Sequence, residues 1–481
     1  MIRQTPMLRK RIKLYLCLFC FALAIVFAAG YALKVKEAEE PVASGPFVSA
    51  GVNWPTYGGD VKNSFSNSQS AISSKNISRL KQAWFAKADG EVSGNPIIVN
   101  GVVYFTTDSG SVYAVNQNSG RGIWVKKMDG SPINSGPLYD EDAVFISTSA
   151  GRVFALSPST GRTVWKTGVI FGNLPDALRA SPRAWDGVIY QSLGGTDDNK
   201  LERGGVVALD EKTGSELWKT DLVDYGGGGS AVFSPPAIIP QFNELVVATG
   251  NPTPYPSNES QDNKGPVPAG RDLYSDSFVA LSLKDGRVLW SKQVHRGDAN
   301  DFDFMAAPNA LSTIKGGVAV GAGSKDGHYY LVDAKNGDSI WDADLTLNQQ
   351  KTLIMTSAAS GQDSIFLGTM DVPNGVSTWP KNYQSPGSGR AVRLDTSTGR
   401  IVWSEDLGAT IAAAPVITNN ILFIMDAQGT LFALDSENGK TLSQFETGGQ
   451  IWNAEAALSA AQNMVFVPLS KKNGLLAFRL Q

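Results

Sequence analysis

Residues Val206 to Trp218 read Val-Val-Ala-Leu-Asp-Glu-Lys-Thr-Gly-Ser-Glu-Leu-Trp, and near-copies of this stretch run through the chain. They are VYAVNQNSGRGIW (112–124), VFALSPSTGRTVW (153–165), FVALSLKDGRVLW (278–290), YYLVDAKNGDSIW (329–341), AVRLDTSTGRIVW (391–403) and LFALDSENGKTLS (431–443), which makes seven. Each copy is an apolar run, a polar turn closing on a glycine, and a second run that ends at a tryptophan, or at Ser443 in the last. Glycine at the turn supplies the positive φ of a short hairpin loop, so the unit is strand, turn, strand. A lone hairpin leaves its apolar faces wet, and the copies must stack on one another.

Trp84, in LKQAW, has the setting of the repeat tryptophans without a hairpin before it. From there the units follow at intervals of 40 to 72 residues, and a last one ends in LLAFRL (475–480) with no outer strand of its own. Eight units result. If the strand around Trp84 completes the last one, the ring closes and no sheet edge is left bare. The expected fold is therefore all-β, an eight-bladed β-propeller closed by an N-terminal strand. The tryptophans are read as packing between blades, outside any chemistry.

Length alone would allow several domains in 481 residues, but unbroken repetition argues for one. Ahead of it, Arg3, Arg9, Lys10, Arg11 and Lys13 precede an apolar run from Leu14 to Leu33, the pattern of an export leader. Residues 1–34 are read as a signal peptide, with Ala28-Ala29-Gly30 as cleavage residues, or as a membrane anchor; both place the body outside the cytoplasm. Residues 35–52 form a polar linker, and 53–481 the propeller. Six of the 42 basic residues and none of the 45 acidic ones lie in the leader, leaving 36 against 45 in the body, which excludes nucleic acid as a partner. Cys17 and Cys20 are both in the apolar run and are followed by Phe21, so neither a disulfide nor c-type haem attachment is expected.

Residues 53–83 read as a strap with tight turns at Tyr57-Gly58-Gly59, a short helix from about Ser73, and Trp54 plugged against the ring. Insertions rich in Gly, Pro, Asn and Asp fall at 167–182, 194–205, 222–236, 251–277, 294–309 and 371–390. Loops on one face of a scaffold commonly carry function, so the site is expected there. Three features stand out. Asn251, in ATGNP, offers an amide oxygen to a hard cation, although Gly-Asn-Pro is also an ordinary turn. Asp298, Asp301 and Asp303 put three carboxylates into six residues, suited to a divalent ion, a general base or a solvated loop. Lys325 is placed just before an inner strand, where it could meet an anionic ligand in the channel. His295 and His328 are the only histidines, which argues against a zinc or copper site. The glycines 226–229 are read as a loop with no phosphate-cradling role.

In this order the features resemble the pyrroloquinoline quinone-dependent alcohol dehydrogenases, and within them the polyvinyl-alcohol dehydrogenase-like branch. The resemblance begins with WPTYGGDVKNSFS and NISRLKQAW, runs through the tryptophan-ended repeats and includes ATGNP, GDANDF and SKDGHYYLVD. It implies bound pyrroloquinoline quinone and Ca²⁺, an alcohol substrate, and a separate electron acceptor, cytochrome c or a membrane quinone. It implies Asn251 as a calcium ligand, Asp301 as general base and further ligand, and Lys325 as the cation on the quinone oxygens. Phe233 stands where the family has a floor tryptophan, Ser181 is a polar neighbour of the quinone, and Asp197, with Glu202 next, falls where a carboxylate ligand is expected. The chain departs from many relatives in lacking vicinal cysteines and a haem domain. The alternative is a non-catalytic propeller similar to the outer-membrane lipoprotein that assists β-barrel assembly. Either protein would be periplasmic, touching the membrane through the N-terminal segment if that is retained.

Overall fold

The computed structural model describes residues 53–481 apart from 130, 171–177, 195–202, 224–227, 254–272, 296–297, 299, 314–315, 362, 377–384 and 452–455. By its contacts the chain divides into residues 1–48 and 49–481, and the leader and linker expected from the sequence lie outside the described residues.

Eight four-stranded antiparallel sheets make up the second unit. The fifth, for example, runs from axis to rim as Asn309–Ser312, Val318–Gly323, His328–Asp333 and Ser339–Asp344. First strands of neighbouring blades meet one another around the axis, and fourth strands alternate exposed and half-buried residues at the rim. The repeat hairpin supplies the third and fourth strands of the first seven blades. Leu80–Lys87 pairs antiparallel with Gly474–Leu480 and completes the eighth blade, the closure the orphan Trp84 implied.

One contact explains why glycine and tryptophan recur together. The turn glycine of each blade lies flat against the tryptophan of the blade before it: a Cβ on Gly120 would sit 2.6 Å from the Trp84 ring, and one on Gly214 2.5 Å from Trp165. The indole N–H of that tryptophan donates to a carbonyl in the same turn, Trp84 to Gln117 at 2.8 Å and Trp165 to Glu211 at 2.9 Å. The pair is repeated seven times, from Trp84 with Gly120 to Trp403 with Gly439. The tryptophans are thus blade-to-blade joints, holding a large apolar ring and a satisfied polar tip at once.

The strap makes a complete circuit inside the ring. Trp54 pairs with Ile98 of the first blade, and Pro55 accepts from Tyr139 of the second. Arg183 of the third donates to Thr56 Oγ1 at 2.7 Å and to the carbonyls of Tyr57 and Asp60. Val61, Lys62, Ser64 and Phe65 then accept from Ile238, Ala310, Ser360 and Ile417 of blades four to seven, and the Asn67 amide donates to Ala460 of the eighth. Arg183 is fully buried and also binds Asn63 Oδ1, while its Nε donates to the Pro236 carbonyl of the fourth blade at 3.3 Å, so this buried charge is taken up mainly by strap oxygens. Trp54 is buried against Gly59, as expected of a plug.

Two local expectations are corrected. The short helix from Ser73 is a single 3₁₀ turn, Ile77–Arg79, because the Asn76 side chain takes the Ser73 N–H and donates to the Ala71 carbonyl, each at 2.9 Å, in place of helical bonds. The glycine run is only partly a loop: Gly228–Gly229 pairs with Pro252–Thr253 beside the end of the strand that leads to Asn251.

Candidate active site

The long insertions leave from one face, opposite the repeat turns, and the singled-out residues gather at its centre. Asn251 follows Glu244–Ala248 by a three-residue step, Asp301 lies between the fourth and fifth blades, and Lys325 follows Val318–Gly323. Lys325 precedes the third strand of its blade, not an inner one as the sequence suggested; it reaches the channel mouth because the connection between second and third strands opens on that face.

There the side chains touch. Asn251 Nδ2 donates to Asp301 Oδ1 at 3.0 Å, and Lys325 Nζ stands 2.7 Å from the same oxygen. Asp303 Oδ1 lies 2.5 Å from Lys325 Nζ. Two carboxylates therefore share one ammonium beside one amide. Asp301 has 40% of its side-chain surface exposed, whereas Lys325 has 5% and Asp303 none. Asp301 is the member a ligand can reach.

The three clustered aspartates have separate tasks. Asp298 folds the loop, accepting from the Asn300 N–H at 2.7 Å and the Phe302 N–H at 2.5 Å. Asp301 sits at φ 61°, a left-handed conformation that aspartate tolerates better than most residues. Asp303 is the buried counter-ion, and its own carbonyl receives the Lys325 N–H at 3.1 Å. Burial pushes the Asp303 carboxyl up to about 6 against the pull of the Lys325 ammonium, and the Asp301 charge pushes the same way.

Gly250 lets the pieces close up. A Cβ there would meet the Phe233 ring at 2.9 Å and Asp303 Oδ2 at 3.2 Å, so Phe233 is packed within reach of the polar cluster. Phe233 also lines a narrow cleft with Ser181, Arg179, Met305 and Tyr57 of the strap. The Ser181 hydroxyl is already engaged there, receiving the Gly136 N–H at 2.8 Å and donating to Asn95 Oδ1 at 3.2 Å. Asp197 and Glu202 lie outside the described residues. Among the described residues no three His, Cys, Asp or Glu side chains converge as a metal cage. Both histidines are held by carboxylates, His295 by Asp326 at 2.8 Å and His328 by Asp342 at 3.2 Å.

Sequence reading gave no separate role to Asp303, Gly250 or Arg179. The first was visible in the G-D-x-x-D-F-D spacing; the other two carry no local signal.

A family model described as "Glucose/ethanol/alcohol dehydrogenase, beta-propeller domain" matches residues 252–363, the stretch that holds Asp301, Asp303 and Lys325 and starts one residue after Asn251. A second, described as "Outer membrane protein assembly factor BamB", matches 48–194 and 332–481, more than half of the chain. The chain belongs to the propeller family of this second model, and in its middle blades it is similar to the quinoprotein alcohol dehydrogenases. Relatives include the polyvinylalcohol dehydrogenase of Sphingopyxis sp. (strain 113P3), 25% identical over 79% of this chain and 64% of that one. Another is the polyvinylalcohol dehydrogenase of Pseudomonas sp., 22% identical over 85% of this chain and 69% of its own. The chain thus spans about half to two thirds of the length of the curated relatives it matches. Among solved structures, the quinohemoprotein alcohol dehydrogenase of Comamonas testosteroni superposes with a TM-score of 0.77 at 19% identity, over 89% of this chain and 80% of that one, a likeness of fold.

Proposed function

We propose that this chain is an exported quinoprotein dehydrogenase that oxidises an alcohol, with Asp301 as the base. The observation that carries the reading is the contact set of Asn251, Asp301, Asp303 and Lys325 at the mouth of the channel. The residues fit the cofactor pair of the family. Asn251, Asp301 and Asp303 offer an amide and two carboxylates, hard oxygen donors of the kind Ca²⁺ takes, and the segment with Asp197 falls where a further ligand is expected. Arg179 and Lys325 supply positive charge, and Phe233 an aromatic wall, for a flat anionic ring system.

When bound, the quinone with its calcium ion supplies the electron sink that accepts hydride from the alcohol carbon. The protein's own share is to bind and to move a proton. Asp301, the exposed carboxylate, takes the hydroxyl proton at its carboxylate oxygens. Lys325 holds that carboxylate in position through its ammonium, and the Asn251 amide fixes its rotation. Asp303 holds Lys325 in place so that the ammonium does not drift with Asp301.

The polyvinylalcohol dehydrogenase relatives support a secondary, polymeric alcohol as substrate. Residues 1–34 would direct export to the periplasm, and electrons would pass to a separate cytochrome c or membrane quinone. A second reading, a non-catalytic scaffold, is favoured by the assembly-factor model over both ends of the chain. One experiment decides between them: the purified body is given pyrroloquinoline quinone and Ca²⁺, and quinone binding and alcohol-dependent dye reduction are measured. Binding with turnover is expected. No binding at micromolar quinone supports the scaffold.

A further inference from the structure

The residue cross-strand from the joint tryptophan is alanine in five blades, Ala114, Ala155, Ala208, Ala280 and Ala477, and Leu331 in another; Ala433 holds the same place opposite Ser443 in the blade whose outer strand lacks the tryptophan. In the sixth blade it is Arg393, opposite Trp403. A guanidinium has been placed where the fold needs only a methyl group.

Arg393 keeps 16% of its side chain exposed. Its Nε donates to Ser364 Oγ at 2.8 Å, and Nη1 to the Ser436 and Glu437 carbonyls and to Glu437 Oε2 at 3.0 Å. Its carbon lies 5.9 Å from the centre of the Phe366 ring. Nη2 has no hydrogen bond among the described residues. Beside it is a cavity of about 330 Å³ between the sixth and seventh blades and the strap, lined by Ser66, Ser68, Asp363, Arg393, Asn419 and Glu437. That is the size of a small-molecule site. Ser364 opens the second strand of its blade, at the end away from the connection that in the fifth blade carries Lys325, so the cavity is on the face opposite Asp301.

The lining selects by charge. One cation faces two carboxylates, so an anion meets Asp363 and Glu437 and a cation meets Arg393. Serine hydroxyls both donate and accept, carboxylates only accept, and guanidinium and amide N–H groups donate. A group that donates and accepts in turn suits all of them, and that group is an alcohol. We infer that this cavity binds a stretch of a neutral polyhydroxylated chain, saccharide or polyol, on the face away from the reaction site. It anchors a polymer without depending on the quinone chemistry.

The test uses the full chain, titrated calorimetrically with two probes, a short polyvinyl alcohol oligomer and maltohexaose. One of them binds wild type, and the one that does identifies the source of the hydroxyls. Arg393→Ala installs the residue of six other blades, so the fold should stand, as checked by Tm, while binding weakens by roughly tenfold or more, the loss of one or two charged hydrogen bonds. Ser68→Trp, which fills the exposed mouth, should abolish binding, and Asp301→Asn should leave it unchanged. The inference is overturned if neither probe binds at millimolar concentration, or if Arg393→Ala and Ser68→Trp both bind as wild type does. An arginine that only bolts two blades together would lower Tm on replacement and leave both titrations flat.

Discussion

The Lys325 ammonium and the Asp303 carboxylate meet 2.5 Å apart with 5% and 0% of their side-chain surfaces exposed. Removing one member of such a buried pair strands the other, at about 3–5 kcal/mol. Lys325→Met should therefore destabilise strongly, because Asp303 is left with no counter-charge. The double variant Lys325→Met/Asp303→Asn should lose clearly less than the two single losses added, read from denaturant unfolding midpoints. Strict additivity would mean that the two groups are not coupled.

Asp301 is the accessible carboxylate of the cluster, and its proposed work is proton transfer. Asp301→Asn preserves the shape and the contact with Asn251, so quinone affinity should change only a few-fold. Turnover should fall by about 10²–10⁴, the usual share of a general base. Unchanged turnover in reconstituted enzyme would remove the assignment.

Glu211 and Glu244 are buried, and burial pushes both carboxyls up to about 7; nearby Asp140 and Glu141 add to the first, and Asp333 adds to the second. A raised carboxyl binds its proton more tightly in the fold than in the unfolded chain. The stability linked to it is complete below the unfolded value near 4.5 and is lost as pH rises through about 7. Glu244→Gln, which cannot ionise, should raise Tm at pH 8, with the gain shrinking to nothing towards pH 4.5. Thermal unfolding across that range checks the slope, and a gain confined to low pH would contradict it.

Gly214 sits at φ 69° with room for no Cβ, since one would lie 2.5 Å from the Trp165 ring. Gly214→Ala should destabilise by about 1–3 kcal/mol through strain and overpacking together. Gly187→Ala makes the control, at φ 74° with nothing near its Cβ, and should cost less. Equal shifts in Tm would assign the whole cost to backbone strain.

The blades were legible before any coordinates, because the hairpin is a local object. Its glycine, its apolar run and its tryptophan lie within thirteen residues, and the turn chemistry that joins them acts over that distance. The orphan strand at Trp84 was legible for the same reason: a repeat with one part missing announces its partner at the other end. Asn251, Asp301 and Lys325 could be picked out by residue type and by resemblance to a family. That resemblance could not say what each carboxylate of the GDANDFD run does. Asp298, Asp301 and Asp303 look alike in a string, and only burial separates the loop cap, the reachable carboxylate and the buried counter-ion.

What the sequence determined by itself was the kind and number of blades, since each is specified by contacts between residues close along the chain. What only the tertiary structure decided was where distant residues meet. The strap's ordered circuit past all eight blades, Gly250 admitting Phe233 and Asp303, and Arg393 beside a cavity closed by Ser66 and Ser68 all join positions far apart in the chain. Such meetings depend on ring closure and on which side chains lose water when it closes, and no local pattern in the sequence encodes that.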